Sequence, residues 1–304
     1  MTQAVAPASA LPTFKSEAGR ARYVAAYDAV LAEWPVAFEA RDVPGRLGST
    51  HVIVSGAPDA PPLLLLPSFA GTATAWRLNV AALSAHFRTC AIDVIGQPGK
   101  SLAVRRLADR HDYAGWLADV MDELGVERAS IVGCSFGGFV ALNQASLTPE
   151  RVERVVLISP AGVFGSQYWR LFYAMRIRAP MLRLLRRLRG DKRAPSMTDL
   201  VRRPPGDGAW AALMGVTMSE GAEVSVINPP VFSRAELAAI AAPTLLLIGS
   251  RETLYEPQAT LKLAKARMPR LTTAIVPDAD HIAAMAQPDD VDARILAFLC
   301  GDGP

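Results

Sequence analysis

Six short apolar runs recur along this chain, at 63–66, 89–93, 130–134, 155–159, 244–249 and 272–276, with helix-length segments between them. A run too short for a core helix, yet apolar at consecutive positions, describes a strand buried on both faces. Such strands alternating with helices pair in parallel. The segments 75–86, 112–124, 136–147, 258–268 and 291–299 are the expected helices. Ahead of them, Tyr23, Ala26, Tyr27, Val30 and Leu31 fall at helical spacing within 16–34. Segments 36–43 and 51–54 alternate around the turn formers Pro44, Gly45 and Gly48 and read as a hairpin. The expectation is an α/β fold: a mostly parallel sheet opened by an antiparallel N-terminal hairpin, with helices on both faces.

The rhythm stops after Pro160 and resumes at Pro243. This predicts one core built from 14–160 and 235–304, a helical cap inserted over 161–234, and a flexible Ala/Pro-rich N-terminus over 1–13. Within the expected cap, 168–176 mixes aromatics and Met with arginines, and 182–193 interleaves leucines with arginines. The first suits an apolar pocket wall, and the second reads as a helix that packs its leucines and solvates its arginines. The loop at 202–208 is rich in Arg, Pro and Gly and is expected to move.

With 51% hydrophobic and 20% charged residues among 304, the chain has ample material for a large core. A net charge of +3, spread widely, carries no nucleic-acid footprint. Cys90, Cys134 and Cys300 form neither a CxxC nor a Cys/His ligand spacing, so no disulfide framework and no metal are expected, and a reducing cytoplasm fits. The first twenty residues lack a basic region followed by an apolar stretch, and no run approaches the ~18 apolar residues of a span. Stable membrane insertion is not expected; a homodimer is left open.

Open sheets of this kind hold ligands outside the carboxyl ends of their strands, so the residues that follow each run matter most. At the end of the run at 130–134 stands Gly133-Cys134-Ser135-Phe136-Gly137-Gly138, a Gly-x-Ser-x-Gly set between strand and helix. Glycines two positions either side let a serine occupy a strained strand-to-helix turn, exposed at a helix N-terminus that favours negative charge. A Gly-rich turn with an incidental serine is the competing reading, and the flanking strand and helix favour Ser135 as a nucleophile. Cys134 alternates to the opposite side and reads as buried filler.

A neutral hydroxyl needs a base. His51, His86 and His111 all precede Ser135, and at such turns the acid and then the histidine follow the serine in the chain, which leaves His281. The acid that orients it is expected on a facing strand-end loop; Glu252, in Ser250-Arg251-Glu252 after the run at 244–249, stands there. Glu256 and Asp280 are the alternatives, and Glu252 could instead pair with Arg251. The two oxyanion donors are expected from the backbone N–H of Phe136 and, in the loop 67–71, of Phe69.

From 14 to 300 the chain resembles the α/β-hydrolases, and more narrowly bacterial carboxylesterases of the naproxen-esterase type. The resemblance rests on segments 91–101, 133–138, 149–152, 157–161 and 249–257, and on Asp280-His281. It implies the α/β-hydrolase fold and cofactor-free hydrolysis of an ester through an acyl-enzyme, with Ser135, Glu252 and His281 on the family's catalytic positions. It also implies that Asp93 holds the loop that follows it. The chain departs from many relatives at Pro67-Ser68, where they carry His-Gly.

A small to medium apolar ester is the expected substrate. An acyltransferase or thioesterase would use the same residues, and a ligand-binding receptor would keep the fold with little turnover. A serine at 135 disfavours dehalogenase and epoxide-hydrolase chemistry, which needs a carboxylate nucleophile.

Overall fold

The computed structural model describes residues 11, 13–165, 208–221 and 226–301. The basic and aromatic stretches expected in the cap, the loop at 202–207 and the N-terminal residues 1–10 lie outside the described residues.

The expected hairpin is β1 (Phe38–Gly45) and β2 (Gly48–Ser55), paired antiparallel. It is followed by β3 (Pro62–Leu66), β4 (Arg88–Ile92), a two-residue β5 (Leu102–Ala103), β6 (Ala129–Cys134), β7 (Val152–Ile158), β8 (Thr244–Gly249) and β9 (Leu271–Val276). The sheet runs β1-β2-β4-β3-β6-β7-β8-β9, with β5 paired to β2. From β4 onward every neighbouring pair is parallel, and β2 meets β4 antiparallel. The short β5 carries too few residues for its pattern to stand out from the loop around it.

The helices are α1 (Glu17–Leu31), α2 (Val80–Ser84), α3 (Arg110–Glu123), α4 (Phe136–Leu147), α5 (Gly208–Glu220), α6 (Arg234–Ala239), α7 (Pro257–Lys265), α8 (Ala283–Ala286) and α9 (Pro288–Cys300). Strand side chains alternate between two cores, because successive residues point to opposite faces. Leu64, Leu66, Val155, Leu157, Leu246 and Ile248 join Trp116, Phe139 and Leu261 of α3, α4 and α7 on one face. Leu63, Leu65, Val156, Ile158, Leu245 and Leu247 join Tyr27, Leu83 and Ile295 of α1, α2 and α9 on the other. Burial on both faces is why these strands read as unbroken apolar runs.

The helix expected over 75–86 is divided. A 3-10 turn, Ala73–Leu78, meets α2 at Asn79, which is fully buried. The Asn79 amide donates to Asp292 Oδ1 at 2.8 Å and to Ala284 O at 3.2 Å, so a tertiary contact overrides the local periodicity there. Capping sharpens other ends: Ser16 Oγ accepts from Gly19 N–H, and Ser233 with Glu236 forms a capping box on α6.

Candidate active site

The site lies at the carboxyl ends of β6, β8 and β9, and close backbone packing brings its parts together. Ser135 follows β6 with φ 50° and ψ −108°, a conformation that costs a non-glycine residue about 1–3 kcal/mol. Its neighbours enforce it: Ser135 N–H donates to Ile158 O and Ala161 N–H donates to Ser135 O, both at 2.9 Å. The flanking glycines have a measurable reason. A Cβ at Gly133 would stand 2.2 Å from Gly137 O, and one at Gly137 would stand 2.2 Å from Leu66 O. The second contact presses the α4 N-terminus against the loop after β3, where Gly137 N–H donates to Pro67 O at 3.1 Å.

A comparable approach joins the loops after β8 and β9. Ser250 N–H donates to Val276 O and Arg251 N–H to Ala279 O. A Cβ at Gly249 would lie 2.4 Å from both Ala279 O and Asp280 O, so only glycine lets these loops touch. Glu252 and His281 project from the two loops toward each other.

The resulting line is continuous. Ser135 Oγ lies 2.8 Å from His281 Nε2, and His281 Nδ1 lies 2.8 Å from Glu252 Oε2. All three residues are buried, and the Glu252 side chain is 0% exposed. Burial pushes the Glu252 carboxyl upward. The hydrogen bond and charge of His281, the N–H of Leu254 on Oε1 at 2.8 Å and the nearby Ser159 hydroxyl outweigh it, and the carboxyl ends below the ordinary range. Tyr255 sets its ring edge-on to the imidazole, centroids 6.4 Å apart. Ser159 and Tyr255 lie within segments that the sequence singled out, 157–161 and 249–257, but neither was given a role there.

The alternative acids are engaged elsewhere. Glu256 caps α7, accepting from Gln258 and Ala259 N–H; Asp280 Oδ1 accepts from Ile282 N–H. Arg251 pairs with Asp278 at 2.5 Å rather than with Glu252. Cys134 is buried beside Ser135, and burial pushes its thiol up to about 12, far from a reactive thiolate. Asp93 accepts from Lys100 N–H and Ala73 N–H, each at 2.7 Å, and so ties down the loop that follows it. Burial nonetheless leaves its carboxyl above the ordinary range.

Phe136 is the first residue of α4, where a backbone N–H has no intrahelical acceptor. Its ring packs on Tyr113 and Phe139 in the core. Phe69 sits in the loop after β3 and is 48% exposed. Among the described residues no cluster of three or more His, Cys, Asp or Glu side chains could hold a metal ion, and no helix is long and apolar enough to cross a membrane.

A mixed sheet with this strand order, a serine on a positive-φ turn into a helix, and a histidine and a carboxylate from later strand ends define an α/β hydrolase. Residues 63–294 match the model of the alpha/beta hydrolase family, and the chain belongs to that family. The carboxylesterase YbfK of Bacillus subtilis is 36% identical over 92% of this chain and 94% of its own. The crystal structure of that carboxylesterase, CesB, superposes with a TM-score of 0.80 at 35% identity, covering 95% of this chain and all of the other (100%). Naproxen esterase from the same organism superposes with a TM-score of 0.79 at 30% identity, covering 94% and 99%. The resemblance to the naproxen-esterase type read from the sequence is thus borne out.

Proposed function

We propose that the protein is a carboxylesterase that cleaves small to medium apolar esters through an acyl-enzyme on Ser135. The observation that carries this reading is the line Ser135 Oγ, His281, Glu252, with both gaps at 2.8 Å and all three residues buried. His281 Nε2 takes the hydroxyl proton as Ser135 Oγ attacks the ester carbonyl, and Glu252 holds the other ring nitrogen protonated and stabilises the imidazolium. The N–H groups of Phe136 and Phe69 receive the oxyanion, each such donor contributing about 3–4 kcal/mol in comparable sites. His281 then hands the proton to the leaving alcohol. Water repeats the sequence on the acyl-enzyme and regenerates Ser135.

The carboxylesterase names of the relatives support the reaction class. The exposed Phe69, in the loop whose Pro67 carbonyl meets the start of α4, favours an apolar substrate. The three cysteines are unpaired, which supports a reducing, cytoplasmic setting.

The test is labelling with a fluorophosphonate followed by peptide mapping, together with p-nitrophenyl acetate turnover by Ser135→Ala. Modification at Ser135 and loss of turnover in the variant are expected. Modification elsewhere, or a variant that keeps most of its activity, removes the nucleophile and with it the mechanism.

A further inference from the structure

The loop after β3 carries a turn whose backbone is set against its own preference. Gly71 N–H donates to Ser68 O at 2.9 Å, closing a four-residue turn with Phe69 and Ala70 at its centre. Ala70 has φ 57° whereas Phe69 is not among the positive-φ residues, which makes this a type II turn. Its third position normally takes glycine, since a Cβ is disfavoured at positive φ. Rotating the central peptide between Phe69 and Ala70 would give a type I turn, in which Ala70 adopts a negative φ without strain.

One side chain opposes that rotation. Gln97, in the loop between β4 and β5, accepts the Ala70 N–H on its Oε1 at 2.6 Å, gripping the very peptide that would turn over. Because Ala70 can only donate, the carboxamide is oriented with oxygen toward it. Gln97 is 1% exposed, and among the described residues its buried Nε2 has no hydrogen-bond partner. An unsatisfied buried donor is unfavourable, and a methionine would fill the same space without one. Packing alone therefore does not account for glutamine here, whereas its bond to the turn does.

We propose that Gln97 is a positioning residue for the oxyanion loop: it locks the 69–70 peptide in the type II state and so keeps the Phe69 carbonyl from turning over beside the N–H of the same residue. The inference rests on the reading of Phe69 as an oxyanion donor. In this chain, which has Pro67-Ser68 before that donor, the lock comes from a side chain on the neighbouring strand-end loop.

Three variants of the full-length enzyme test it, each compared with wild type for kcat and KM on p-nitrophenyl acetate and for fluorophosphonate labelling. Gln97→Met removes the acceptor and is expected to lower kcat about tenfold, the shift that loss of one ordinary hydrogen bond gives a two-state turn, with KM within about twofold. Adding Ala70→Gly to that variant restores most of kcat, because glycine accepts positive φ unaided. Ala70→Val with Gln97 intact lowers kcat as Gln97→Met does, and it carries the test should Gln97→Met fold poorly. A Gln97→Met enzyme at wild-type kcat, or a loss that Ala70→Gly leaves unrepaired, overturns the proposal. Absence of labelling at Ser135 in the wild-type enzyme would instead overturn the catalytic reading beneath it.

Discussion

Replacing Glu252 by glutamine keeps the volume and changes one atom at the end of the Ser135–His281–Glu252 line. Oε1 accepts the Leu254 N–H and Oε2 faces His281 Nδ1, both at 2.8 Å. A carboxamide must place its oxygen on the Leu254 donor, which turns its NH2 toward Nδ1. Two N–H groups cannot face each other, so the imidazole proton moves to Nε2, where it points at Ser135 Oγ instead of accepting from it. The charge is lost as well. Imidazolium and carboxylate about 4 Å apart attract by about 4 kcal/mol at an effective dielectric near 20, and the 0% exposure of the Glu252 side chain leaves little room for solvent screening. That energy corresponds to roughly a thousandfold in rate, and the tautomer change acts in the same direction. Steady-state hydrolysis of p-nitrophenyl acetate should therefore show kcat for Glu252→Gln at least about a thousandfold lower, with KM little changed and the melting temperature near that of wild type. A kcat within tenfold of wild type would refute both the electrostatic and the tautomer argument.

Gly249→Ala should separate the Glu252 and His281 loops, since its Cβ would stand 2.4 Å from two carbonyl oxygens; a loss of about 1–3 kcal/mol in denaturant unfolding together with a lower kcat is expected, and wild-type values in both discard the account. Glu252 is held below the ordinary carboxyl range, so its contribution to stability is present above the unfolded carboxyl value and is lost as pH falls through its lower folded value; a wild-type melting temperature that does not drop relative to Glu252→Gln in strong acid would contradict this. Asp292 behaves oppositely. Burial raises its carboxyl to about 7, so between the unfolded value of 3.8 and that point the folded state keeps a proton the unfolded chain gives up. Stability from this group therefore declines as pH rises through that interval, by about 1.4 kcal/mol per unit and on the order of 4 kcal/mol in all. Asp292→Asn, still bonded to Asn79, should remove that decline, and melting curves whose difference from wild type does not grow from about pH 4 to pH 7 would contradict it.

Much of the fold is legible because burial on both faces leaves a plain mark. The run at 244–249 and the helix at 136–147 match β8 and α4 residue for residue, since an apolar run bounded by Gly has few other states. Asn79 shows where such reading stops: its partners, Asp292 and Ala284, lie some two hundred positions away, and no local pattern records them. The same limit applies to the site. Motif and chain order pointed to Ser135 and His281, and strand-end placement favoured Glu252; setting Glu256 and Asp280 aside took the hydrogen bonds that engage each of them. Gln97 lies within 91–101, but nothing local marked its role, which depends on a turn in another loop.

Sequence by itself determined the strands, their two helical layers and the strand ends at which the candidate site residues sit, because hydrophobic period and glycine placement act within a few residues along the chain. Tertiary structure decided which carboxylate meets the imidazole and what holds the strained loops at Ser135 and Ala70, because those contacts form only when segments far apart in the chain close to within about 3 Å of each other.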